Sequence, residues 1–180
     1  MRRHLILVVM PQIDSYHDYE FAIDALLSGD ELRLEELSAL EDSFPRGCDG
    51  FIGRRWIINA IDCGALKSVQ WILQHDVELQ FRDEEGYTPV LSAIERVKGD
   101  RYEVLRLVLS AGADVNGKGI NDYTPAHLAA LRDDVEALRI LVQFGADLSI
   151  RTNIDLYETP LGEAKHFDSK AAIEFLQSVA

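Results

Sequence analysis

The sequence predicts an all-α solenoid of stacked helix-turn-helix units, and three observations predict it. Thr-Pro occurs three times, at Thr88-Pro89, Thr124-Pro125 and Thr159-Pro160, with spacings of 36 and 35 residues. Gly112-Ala113-Asp114-Val115-Asn116 stands ahead of the second pair, and Gly145-Ala146-Asp147-Leu148 closes the following unit. A small residue also recurs in register, at Ala25, Ala60, Ala93, Ala129 and Ala164, in steps of 35, 33, 36 and 35. Self-similarity at such a period marks units that cannot bury their apolar face alone and therefore stack.

The chain begins with Met1-Arg2-Arg3-His4 and the apolar run Leu5 to Met10. At six residues the run is shorter than the apolar core of a signal peptide and no small-residue cleavage site follows, so a strand or packed arm is expected. Tyr19 to Leu40 keeps helical spacing on both sides of the turn Ser28-Gly29-Asp30. In the second unit Arg55-Trp56 replaces Thr-Pro, while Asn59-Ala60-Ile61 and Gly64 to Val69 hold the rhythm. Thr88, Thr124 and Thr159 are placed to cap helices, each followed by a proline whose missing N–H is harmless in a first turn. Leu105, Val108 and Leu109, like Leu138, Leu141 and Val142, fall at helical spacing on one face. Gly112 and Gly145 follow those helices, where a left-handed residue ends them. Against the unit at Ala129, the unit at Ala93 carries three extra residues within Val97 to Arg101, and the linker Asn153 to Glu158 is two residues longer than its counterpart.

Thr124-Pro125-Ala126-His127-Leu128-Ala129-Ala130, then Val135 and the Leu138/Leu141 seam, then Gly145-Ala146-Asp147, resembles the ankyrin-repeat family and its T-P-L-H-x-A pattern. The resemblance implies an ankyrin-repeat solenoid with β-hairpin fingers between units. It divides a single domain, 1–180, into a capping unit at 1–45, repeats at 46–82, 83–118 and 119–151, and a capping repeat at 152–180. It also implies that His127 links its cap threonine to neighbouring backbone, and that a concave face of fingers and first helices binds proteins. Carried over residue by residue, that face holds Glu84, Glu85, Tyr87 and Arg96, then Ile120, Asn121, Tyr123, Leu131 and Arg132, then His166 and Phe167. Tyr and Arg are the types that anchor interfaces. The two finger tyrosines either serve a partner in this way or pack over the adjacent finger.

Composition excludes other classes. The net charge of −13 repels nucleic acid, and no basic run longer than Arg54-Arg55 offsets it. Residues 1–45 carry −7 and residues 46–82 carry +1, so the acidic first unit is either a solvating cap or one end of a surface for a basic partner. Cys48 and Cys63 lie fifteen residues apart, a spacing that fits neither a redox pair nor a zinc pairing. Gly112 to Gly119 has Walker A spacing, but Gly119 replaces the magnesium-binding hydroxyl and the segment follows a helix instead of a strand. His4, His17, His75, His127 and His166 show no ligand spacing. No catalytic, cofactor-binding or metal set is therefore expected. The reading is a non-catalytic, cytoplasmic monomer whose concave face binds one folded protein as an inhibitor or adaptor, with no nucleic acid or membrane involved; the acidic balance suits a basic target. The alternative is a bacterial immunity protein neutralising a cognate toxin, such as a basic nuclease.

Overall fold

The computed structural model describes residues 15–154 and 157–179, with side chains from Tyr19 onward. The apolar run at Leu5 to Met10 lies outside them. Among the described residues ten α-helices follow in pairs: α1 (Ser15–Ser28) and α2 (Glu31–Leu40), α3 (Trp56–Cys63) and α4 (Leu66–Leu73), α5 (Pro89–Glu95) and α6 (Arg101–Ser110). Then come α7 (Pro125–Leu131) and α8 (Val135–Gln143), and α9 (Pro160–His166) and α10 (Lys170–Val179). The first helices of successive pairs pack on one another to form one layer, and the second helices form the other. That is the stacking the period requires.

The caps follow from local chemistry. Thr88 Oγ1 accepts from Leu91 N–H and Thr159 Oγ1 from Gly162 N–H, both at 3.3 Å, and each helix starts with proline. Gly112 and Gly145 sit at φ +95° and +86°, conformations that side chains disfavour, and they turn the chain out of α6 and α8. Between the layers, Ile57, Ile61, Ile72, Leu105, Leu138, Leu141 and Leu176 are buried. Each contributes about 1.5–3 kcal/mol by leaving water. Ala25, Ala60, Ala93, Ala129 and Ala164 are all fully buried where first helices approach one another. A larger side chain at any of them would force the layer apart, which explains the register.

Two expectations need correction. The resemblance implied β-hairpin fingers, but among the described residues there is no strand, only an isolated antiparallel bridge between Cys48 and Arg55. The third, fourth and fifth fingers are turns whose ends are joined by one backbone hydrogen bond each: Asp83 N–H to Tyr87 C=O at 2.9 Å, Gly119 N–H to Tyr123 C=O at 2.8 Å, and Thr152 N–H to Glu158 C=O at 2.9 Å. The segments are too short to build a ladder.

Arg96 was expected on the solvent-facing concave side, and it is only 2% exposed. The extra residues after α5 explain this. They fold back so that Asp100 grips the Arg96 guanidinium at 2.8 and 2.9 Å. Its Nη1 then donates to the carbonyl of Ile61, and Nη2, shared with Asp100, to that of Gly64, at the end of α3. Arg96 is a tie between units.

Candidate protein-binding face

The fingers are held by three different devices. In the fourth, the Thr124 N–H donates to His127 Nδ1 at 3.2 Å, and the Thr124 hydroxyl lies 2.8 Å from the same nitrogen. Because Nδ1 accepts, the ring proton sits on Nε2, 3.0 Å from the Glu158 carbonyl of the next unit. Burial lowers the His127 pKa below 6.5, against the opposing pull of that carbonyl, and keeps the ring neutral as this geometry needs. The imidazole thus links its cap threonine to neighbouring backbone. In the third finger, Asp83 Oδ1 accepts from Tyr87 N–H at 2.7 Å around Gly86 at φ +88°.

The second finger lacks Thr-Pro and uses a carboxylate. Asp49 is buried, with Oδ1 accepting from the N–H groups of Phe51, Ile52 and Gly53 and Oδ2 from Arg54 N–H and the Asn59 amide. Sequence reasoning did not single Asp49 out. Its signal was the Asp-Gly step in a finger that needed another anchor.

Between the third and fourth fingers lies a depression of about 250 Å³, lined chiefly by Tyr87, Leu91, Glu95, Ile120, Tyr123 and Leu128. Ile120 is 60% exposed and leans over Gly86, where a Cβ would come within 2.2 Å of its Cγ1. Only glycine leaves that seat open. Hydrogen bonding to Glu95 raises the Tyr87 phenol, with the Glu95 charge and burial adding to it. Burial, helped by Glu163, pushes Tyr123 up to about 12. Glu85, Tyr87, Ile120, Asn121 and Tyr123 from the expected face meet in this depression. Glu84 is exposed on the same finger. Leu91 and Leu128, missed from sequence, line it from the first turns of α5 and α7.

Glu85, Tyr87 and Glu95 also border an adjoining depression with Arg54, Asp62 and Val97. There Arg54 pairs with Asp62 at 2.6 Å. Burial raises the Asp62 carboxyl, Arg54 opposes the shift, and the charges of Glu95 and Asp83 add to it. Arg132 reaches back a unit to Glu95 Oε1 at 2.8 Å, and Leu131 is half-buried. His166 and Phe167 lie apart, at the end of α9, both exposed and in edge contact at 5.2 Å.

The Gly112 to Gly119 segment leads from α6 through a turn to a short 3₁₀ stretch, and Lys118 is paired with Asp122 at 3.0 Å. No His, Cys, Asp and Glu among the described residues group to hold a metal ion. No helix among them is long and apolar enough to cross a membrane.

Comparison with known proteins bears on these helix pairs. A family model described as ankyrin repeats (many copies) matches residues 94–142. The chain carries ankyrin repeats over those residues. Its ankyrin units are 36% identical over 94 residues, 52% of the chain, to the ankyrin repeat and KH domain-containing protein mask-1 of Caenorhabditis elegans. They are 32% identical over 101 residues, 56% of the chain, to human BCL-6 corepressor-like protein 1. The identity to the mouse RelA-associated inhibitor is 31% over 99 residues, 55% of the chain. The matched stretches span only 3%, 6% and 12% of those relatives. What is shared is the ankyrin array, a module for protein–protein interaction.

Proposed function

We propose that this ankyrin array is a non-catalytic module that holds one folded protein against its concave face, as an inhibitor or adaptor. The observation that carries this reading is the partly apolar depression between the third and fourth fingers, where Tyr87, Ile120 and Tyr123 converge on a preformed surface. Aromatic and aliphatic side chains gathered in one concavity are the usual anchors of an interface. Two relatives are named as an inhibitor and a corepressor-like protein, which accords with a regulatory role. The same reading places the chain in the cytoplasm as a monomer.

A photo-reactive amino acid at Ile120 should cross-link one partner in native lysate, whereas the same group at exposed Glu103 on α6 should not. Cross-linking from Glu103 and none from Ile120 would put the partner on the convex side. The net charge of −13 favours a basic partner, as a toxin-neutralising immunity protein would meet. In that case Glu35→Lys with Glu36→Lys slows association at low ionic strength, and an unchanged rate leaves the first unit as a solvating cap.

A further inference from the structure

The two sides of the third finger differ in charge. On one side Arg82 and Lys118 line a depression with Phe81, Thr88, Pro89 and Asp114. Lys118 there pairs with Asp122, while Arg82 donates to the Gly119 carbonyl at 3.2 Å and keeps its positive charge on that side. On the other side, the two adjoining depressions carry Asp62, Glu85 and Glu95 against Arg54 and Arg96. Arg54 is spent on Asp62, and Arg96 is turned away into the chain and gripped by Asp100. Arg132 occupies Oε1 of Glu95. Glu84 and Glu85 make no ion pair among the described residues, so the rim of the depression keeps uncompensated negative charge.

We infer that the partner inserts one aliphatic or aromatic side chain between the third and fourth fingers and carries a Lys or Arg beside it, which Glu85 receives. This rests on the concave-face reading and specifies the epitope. A volume of about 250 Å³ falls below the range of about 300–1,000 Å³ that small-molecule sites occupy, and it suits a single side chain. Tyr87 stands between the two depressions, so a cation beside the inserted residue lies within reach of both its ring and Glu85. An acidic segment would meet like charge and lose its hydration without a counter-ion.

Selection of random dodecapeptides displayed on phage against the full chain tests this. Enriched sequences should place Lys or Arg within three residues of Leu, Ile, Phe or Trp. Both Glu85→Lys and Ile120→Ser should weaken the selected peptides by about tenfold or more. These positions are exposed, so both variants keep the wild-type thermal midpoint, and Glu103→Lys serves as the control. Absence of enrichment overturns the inference. Enriched peptides that lack cations, yet lose binding on Tyr123→Ala, overturn the charge assignment and leave the concave-face reading standing. Peptides insensitive to every concave variant sink both.

Discussion

The second and fourth fingers solve one problem with opposite chemistry. The fourth is held by a neutral ring that bridges two units, with Thr124 on one nitrogen and the Glu158 carbonyl on the other. The second is held by the Asp49 carboxylate, which closes the loop on itself through four backbone N–H groups and Asn59. An imidazole has one donor and one acceptor to distribute, so it suits a joint. A carboxylate has only acceptors, so it gathers a turn's convergent N–H groups. The difference teaches that the repeat motif specifies coupling between units as much as the shape of a finger.

That contrast can be broken in order of expected effect. Asp49→Ala strands the gathered donors and should lower stability by about 3–5 kcal/mol in urea unfolding, the largest loss of the set. Arg96→Met removes the tie from α5 to α3 while keeping its bulk, for about 2–4 kcal/mol by the same measure. His127→Ala should follow at about 1–3 kcal/mol. A loss at His127 exceeding that at Asp49 would reverse the ranking of the two devices.

The histidine pin also carries a pH signature. Its folded pKa is depressed below 6.5, so the unfolded chain binds the extra proton first as pH falls. The contribution is complete above about pH 6.5 and is lost as pH falls towards the folded value. Thermal midpoints of wild type and His127→Asn, followed from pH 8 to pH 5, should therefore converge on the acid side. A constant gap would mean that His127 does not titrate between the two states. The smallest effect is expected for Arg106→Ala. Its side chain is partly exposed and reaches Glu136 at 3.1 Å, and such surface pairs contribute under about 1 kcal/mol.

How legible these features were depends on how local they are. The threonine caps, the glycines at φ +95° and +86°, and the His127 link involve residues a few positions apart or fixed by one repeat spacing, and all were readable. The burial of Arg96 was not. Arg132, its counterpart one unit on, remains partly exposed on Glu95, and the two diverge because only Arg96 is followed by the insertion that supplies Asp100. Asp49 was hidden for a related reason. Its role depends on the path of the loop, which brings four N–H groups to Asp49 where the third finger brings one to Asp83.

Many joints between units end on main-chain oxygen. Ser68 donates to the carbonyl of Leu26, Arg96 to those of Ile61 and Gly64, His127 to that of Glu158, and Ser169 to that of Leu131. Every residue has such an oxygen whatever its side chain. A unit copied or transplanted within the array would therefore find its acceptor waiting, because the joint makes little demand on the neighbour's identity. An array built on such joints can lengthen by duplication and let its end units drift in sequence.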